Sequence, residues 1–417
     1  MISRWQWIME KIYKKIWFRA TLFALAAIVT ALISIFFKSM IPLSFSVKVG
    51  AEAVDSILNI LASSMLAVTT FSLSIMVTAY GSATTNVTPR ATRLVVEDAT
   101  TQNVLATFIG SFLFSLVGII ALHMGAYGER GRIILFAVTL VVILLIVFTL
   151  LRWIQHLTAL GRVGETTAKV ERAALATFSA RAQNPCFGAS TWLECGTQPA
   201  GTVAVSPECI GYIEHIDIGK LASSLSDSQI HVYLIGQPGS FVHPSQPVMY
   251  VTNNANSTIY SELLSALSVS DVRSFNQDPR FCLSVMAEIA CRALSPAVND
   301  PGTAIDVIGR GVRVLSVYGN LCAENGKVHF PAIHIAPLSA SDLLDDFFSP
   351  IARDGAGMRE IQIRVLKGLA MLSHARPELY ASTAIAHARE ALHYIERENY
   401  IDSDNELILK TYRNLFP

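Results

Sequence analysis

Charge is scarce in this chain. Only 15% of its 417 residues are Asp, Glu, Lys or Arg, while 52% are hydrophobic and the mean hydropathy is +0.44. Ordinary soluble domains carry about 25% charged residues, so the composition is that of a membrane protein. Net charge is zero, which leaves no basic field to attract nucleic acid, and no nucleic-acid partner is expected. Cysteine pairs are also missing. The six cysteines (Cys186, Cys195, Cys209, Cys282, Cys291 and Cys322) form no CxxC. They read as reduced thiols, not as a disulfide frame or a zinc site. A GxxxxGK[ST] phosphate loop, an HExxH pair and a nucleophile–base motif are absent too, which argues against an enzyme and against a resident metal or cofactor. No small-residue cleavage site follows Lys11, Lys14, Lys15 and Arg19, so the N-terminus is not read as a signal peptide.

Long apolar runs are what the chain does have. Four precede Arg152: Phe18 to Phe37, Ile57 to Tyr80, Val104 to Met124 and Ile133 to Leu151. Each approaches the roughly 20 residues needed to cross a bilayer, which predicts a four-helix transmembrane domain over residues 1–160. None has an Asp, Glu, Lys or Arg at its centre, where charge-moving transporters commonly place one. Basic residues at the ends set the orientation. Arg4, Lys11, Lys14, Lys15 and Arg19, then Arg90 and Arg93, then Arg152, Arg162, Lys169 and Arg172 outnumber Lys38, Lys48, Arg130 and Arg132 on the other side. Both termini are therefore expected in the cytoplasm.

The second run is unusual for its hydroxyls. Asn59, Ser63, Ala67, Thr70, Ser74, Thr78 and Gly81 recur every three or four residues, on one helical face. Small polar residues let helices pack closely in a membrane; lining a water-filled pathway, they replace a solute's hydration. Ser63, Thr70, Ser74 and Thr78 are the pathway-lining candidates under the second reading. Thr107, Ser111, Ser115 and Gly118 make a similar small-residue seam on the third run, which is expected to meet the stripe of the second. The fourth run is almost purely Ile, Leu, Val and Phe and is expected to face lipid.

After the second run, Thr88 and Pro89 make a helix start, with a hydroxyl N-cap and proline at the first position. Residues Pro89 to Asn103 read either as a connector or as a cytoplasmic collar in which Arg90 and Arg93 sit at a pore mouth or on lipid phosphates.

Beyond the membrane runs, residues 161–200 read as a connecting helix and loop, 201–255 as a small β-rich module, and 256–417 as a mainly helical cytoplasmic domain. The fold class is thus an α-helical polytopic membrane domain with an α+β cytoplasmic region. Strands are expected at Cys209 to Ile216, Gln229 to Ile235, Val248 to Thr252 and Lys327 to Ile335. The phrase GQPGSFVHPSQPVMYV resembles half of a lipoyl- or biotinyl-carrier β module. It has no Lys at the hairpin tip, so no cofactor attachment is implied and a small structural barrel for subunit contacts is expected. His231 and His243 are too isolated for a metal site, and His387 and His393, six apart, do not share ligand spacing. Asp278-Pro279 and Asp300-Pro301 are capped helix starts. Amides after Asn299 and Asp300 either bind an anion or are satisfied by Asp300 itself.

The segments FSLSIMVTAYGSATTNVTPR, GYIEHIDIGKL with GQPGSFV, and ALSPAVNDPGTAIDVIGR together resemble a family of predicted bacterial membrane proteins defined as a domain of unknown function. The most specific element is Leu294-Ser295-Pro296-Ala297-Val298-Asn299-Asp300-Pro301, an SPxxNDP motif. The resemblance implies a bacterial cytoplasmic (inner) membrane location and a layout of four spans plus cytoplasmic domain; it supplies no activity or ligand. The expected partners are the lipid bilayer, further copies of the chain as a homo-oligomer, and an ion as solute. Two functions stay open: a homo-oligomeric ion channel or pore with a cytoplasmic gating or assembly domain, or a non-conducting scaffold or sensor whose cytoplasmic domain binds a partner protein.

Overall fold

The computed structural model describes residues 51–125, 127–194, 197–225, 229–252, 255, 257–322 and 327–417, together with Phe18, Thr21, Leu22, Leu25, Ile28 and Val29. The predicted first span lies outside the described residues except for those last six, which are helical. The described residues fall into two compact units, one with residues up to Thr85 and from Thr92 to Glu165, the other with Asn86–Ala91 and Thr166–Pro417.

The first unit holds α1 (Ala51–Asn86), most of α2 (Pro89–Val96), α3 (Ala99–His123) and α4 (Gly128–Leu157). Among the described residues, three stretches are long and apolar enough to cross a membrane: Glu52–Asn86, Ala99–His123 and Gly131–Leu157. Helix α1 has 36 residues; at 1.5 Å per residue it is about 54 Å long, well beyond ~30 Å of hydrocarbon. Asp98 caps α3, accepting hydrogen bonds from the amides of Thr100 at 2.8 Å and Thr101 at 3.1 Å, which supplies the orphan donors of a helix start. Apolar contacts join the three helices in two layers, Val54, Leu58, Phe114 and Leu135 in one and Met65, Val104, Phe108, Ile146 and Trp153 in the other. Gly161, which follows α4, has φ +80°, and a β carbon there would stand 3.3 Å from the carbonyl oxygen of Ala79. Both the left-handed backbone and the close approach need glycine.

The second unit begins with α5 (Val163–Gln183). Eight short strands follow in chain order: β1 (Ala189–Thr191), β2 (Thr202–Val205), β3 (Gly211–Ile216), β4 (Val232–Leu234), β5 (Phe241–Val242), β6 (Met249–Thr252), β7 (Leu267–Ser270) and β8 (Phe330–Ile335). Helices α6 (Ile218–Ser223) and α7 (Ser257–Ser265) interrupt them. They make a five-stranded sheet in the order β1-β8-β4-β6-β2 and a three-stranded sheet in the order β5-β3-β7. The small barrel expected within residues 201–255 is therefore two sheets that recruit strands from outside those bounds. Strand β8 arrives from far downstream and lies parallel between β1 and β4. The alternation of Val232 and Leu234 buries both against Ile333 and Ile335, so β4 and β8 present matching apolar faces to one core.

The remaining helices are α8 (Pro279–Leu294), α9 (Pro301–Leu321), α10 (Ala340–Asp354), α11 (Arg359–Ala375), α12 (Pro377–Ile395) and α13 (Asp402–Leu415). Helix α8 packs on α9 and α10, α9 on α11, and α12 on α10 and α11. The spacing in α9 shows why: Ala304, Val307, Ile308, Gly311, Val314, Leu315 and Tyr318 are buried at helical period. Full burial of such a side chain contributes about 1.5–3 kcal/mol before entropy is charged against it.

Candidate functional site

The polar stripe of α1 faces outward. Asn59, Ser63, Ala67, Thr70, Ser74, Thr78 and Gly81 are all exposed, while Leu58, Met65, Ser72 and Met76 on the far side are buried. The seam on α3 behaves oppositely: Thr107, Ser111, Ser115 and Gly118 are buried. That seam does not meet the stripe, contrary to expectation. A β carbon on Gly118 would lie 3.1 Å from Leu58 and 3.7 Å from Leu135, so the small residues admit the bulky apolar face of α1 instead. Helix α4 exposes Val141, Leu144, Phe148 and Leu151, the apolar surface expected of a lipid-facing helix.

Three of the stripe's hydroxyls have satisfied donors. Ser63 Oγ donates to the carbonyl of Asn59 at 2.9 Å, Thr70 Oγ1 to Ala67 at 2.9 Å, and Thr78 Oγ1 to Ser74 at 3.0 Å. With the proton turned back onto the helix, each oxygen's free lone pair is what remains for a neighbour.

The turn after α1 belongs to the second unit. Thr88 Oγ1 donates to Glu288 Oε2 at 2.9 Å, and Arg90 pairs with Glu288 Oε1 at 2.6 Å. Arg90 thus has a carboxylate partner within the protein, while Arg93 pairs with Glu97 at 3.3 Å on its own helix. Sequence reasoning named both arginines but had no means to find Glu288, which lies on α8.

Asn299 and Asp300 form a helix start. Asp300 accepts from the amide of Thr303 at 3.0 Å and its hydroxyl at 2.5 Å, and these bonds lower its carboxyl pKa below the usual carboxylate range, the hydroxyl contributing most. Asn299 has φ +49°, a conformation that asparagine tolerates better than most residues. The capping reading is the one the geometry favours.

The histidines differ from expectation. His231 is not isolated: its Nδ1 lies 3.0 Å from Nε2 of His334. His387, which does not share ligand spacing with His393, is buried, with Nε2 3.4 Å from Asp345 and Nδ1 3.5 Å from Glu390. Those three residues could hold a metal ion by distance, and Ser349 Oγ stands 3.3 Å from Nδ1 beside them. His393 is exposed and meets only Glu396, at 3.1 Å. His156 at the end of α4 stands 3.0 Å from Thr101 and 3.6 Å from Asp98.

Two features of the second unit carried no signal in the sequence. Glu171 on α5 is buried between Arg310 and Arg313 of α9, bonding Arg310 at 2.6 Å. Arg181, nearly three turns further along α5, is buried and lines a polar cavity of about 350 Å³.

The family described as predicted membrane protein (DUF2254) matches residues 13–371. The chain belongs to that family. Uncharacterised proteins of Mycobacterium bovis and Mycobacterium tuberculosis are 27% identical to it over 229 residues, 52% of this chain and 43% of theirs. The chain therefore matches less than half the length of those relatives. No solved structure matches it.

Proposed function

We propose that the chain is a homo-oligomeric pore of the bacterial inner membrane, in which copies of α1 turn their polar stripes toward a shared pathway. One observation carries this reading: the polar stripe of α1 is exposed along its length while Leu58 and Met65 pack on α3 and α4, although Ile60, Phe71 and Val77 of the same helix are exposed too. Against lipid, exposed Asn59, Ser63 and Thr70 would gain nothing; against other copies they permit close approach and offer lone pairs to a solute. No Asp, Glu, Lys or Arg lies at the centre of the predicted spans, which suits a pathway that carries an ion without binding it tightly. The predicted first span, Phe18 to Phe37, completes the membrane domain, and the bias of Arg and Lys supports both termini and the second unit in the cytoplasm. There the second unit serves gating or assembly, with the Thr88–Arg90 turn held by Glu288 as the link along the chain to α1.

A non-conducting scaffold or sensor is the second reading. It is favoured by the satisfied donors of Ser63, Thr70 and Thr78, since such hydroxyls also suit a dry helix seam. Ion flux through liposomes holding the purified protein separates the two. The pore reading expects flux that Thr70→Leu and Ser74→Leu reduce severalfold in a protein that still assembles. Silence from the wild-type protein, or flux indifferent to both substitutions, would sink it.

A further inference from the structure

Among the described residues, Arg181 is a buried charge with no carboxylate at ion-pair distance. It is 5% exposed. Its Nη2 donates to Gln237 Oε1 at 2.9 Å, and its guanidinium lies 3.9 Å over the ring of Phe187. Its Nη1 is buried with no hydrogen-bond partner, and no carboxylate among the described residues stands at ion-pair distance. Burial pulls its pKa below the usual arginine range, yet a guanidinium stays charged in proteins. A buried cation with a spare donor is costly unless something anionic completes it.

What surrounds it points the same way. The cavity of about 350 Å³ is lined by Arg181, Gln237, Arg273 and Arg280 and also by Asp278 and Asp342. Arg273 is neutralised by Asp278, at 2.7 and 3.0 Å, and Arg280 by Asp342 and Asp346, at 2.7 and 2.6 Å; Arg181 alone is not. Helices α8 and α10 both begin at this cavity, capped by Asp278 and Ser339, and each start carries about half a positive charge. The loop over the cavity is specialised. Gly239 has φ +91°, and a β carbon there would fall 2.1 Å from Asp278 Oδ2, so only glycine lets this turn close on the α8 cap. Below it, Phe187 is held in left-handed backbone at φ +57°, a strained arrangement for a bulky residue that seats its ring under Arg181.

We propose that this cavity binds a small organic phosphate, with Arg181 as the charge anchor and Gln237 as the group that aims it. The volume exceeds what a lone inorganic anion needs and falls within the ~300–1,000 Å³ range of small-ligand sites. Arg181 lines the cavity, so its guanidinium supplies the charge that attracts a phosphate there, in the field of two helix starts. This inference is independent of the pore reading, because its readout is binding and not flux.

The test uses the full chain in detergent, with thermal unfolding followed against inorganic phosphate and against adenosine monophosphate at constant ionic strength. Binding raises the midpoint along a saturating curve, with the nucleotide acting at lower concentration than phosphate. Arg181→Gln weakens the apparent affinity by about tenfold or more, roughly the 1.4 kcal/mol of one lost charge-assisted bond. Ser339→Asp is the second variant: aspartate caps a helix as well as serine does, so the fold persists while a negative charge enters the cavity, and binding falls similarly. The proposal is overturned if neither probe moves the wild-type midpoint up to about 10 mM, or if Ser339→Asp, still folded, binds both probes like the wild type.

Discussion

Arg90 Nη1 lies 2.6 Å from Glu288 Oε1 across 198 positions of sequence. The same carboxylate takes the hydroxyl of Thr88 at 2.9 Å. The two bonds differ in worth. Arg90's side chain is 60% exposed, so its pair contributes less than ~1 kcal/mol. Thr88 is 6% exposed, and a buried hydroxyl without its acceptor costs about 1–3 kcal/mol. Glu288→Ala is therefore expected to lower stability by about 1–2 kcal/mol, and Arg90→Ala by less than about 0.5. Chemical denaturation of both variants checks the order; equal losses would refute it.

Glu171 predicts a larger effect. Its side chain is 7% exposed between Arg310, 20% exposed, and Arg313, 62% exposed. Removing the carboxylate strands the better-buried arginine, although Asp306 still holds Arg310 at 2.7 Å. Glu171→Ala is expected to cost roughly 2–3 kcal/mol, below the 3–5 of a fully buried pair, and Arg313→Ala under ~1 kcal/mol. Unfolding midpoints of the two variants read this directly.

Packing at Gly311 leaves no room for a methyl group. A β carbon there would stand 2.0 Å from Cζ of Phe347, and both residues are interior. Gly311→Ala is expected to destabilise the helical region by about 3 kcal/mol, the upper part of the overpacking range. Phe347→Leu in the same chain should recover part of that loss, a non-additivity that a double-mutant cycle measures.

Asp300 gives the acid limb a marker. Its folded pKa is lowered by the Thr303 hydroxyl and amide, so its contribution is present above the unfolded carboxylate pKa of about 4 and is lost as pH falls through the lower folded value. Asp300→Asn keeps the cap and removes the titration. Stability near neutrality should change little, while the decline below about pH 4 becomes shallower. A pH series of thermal midpoints in which both proteins fall in parallel would count against it.

The outward stripe makes a proximity prediction. In a background with the six native cysteines replaced by serine, Thr70→Cys and Ser74→Cys should form oxidised dimers in membranes. Leu144→Cys and Phe148→Cys, exposed on α4, should not. Crosslinking from α4 alone would place the subunit contact elsewhere.

Much of the architecture was legible before any coordinates. Three long apolar helices and the capped starts at Asp278 and Asp300 lie where hydropathy, proline and cap residues put them, and the C-terminal half is mainly helical as expected. Those signals are local: a span needs only length and apolarity, and a cap needs a side chain two or three residues from its amide. The stripe of α1 was equally readable as a stripe, because helical period alone aligns Asn59 with Ser63, Thr70 and Thr78.

Which way that stripe points was not readable. Periodicity divides a helix into faces, but the partner decides which face is buried, and Leu58 filled the space that Gly118 leaves. The strands show the same limit. Lys327 to Ile335 read as a strand, yet only the folded chain seats Phe330–Ile335 between β1 and β4, in place of a barrel closed within 201–255. Arg181 looked like one more charge on a connecting helix; its burial beside Gln237, Phe187 and the starts of α8 and α10 joins residues from five separate segments. The sequence by itself determined the membrane class, the helices and their ends, since these follow from neighbours a few residues away. Tertiary structure alone decided the outward stripe, the Glu288 anchor and the arginine cavity, because each depends on groups that meet only when distant segments exclude water together.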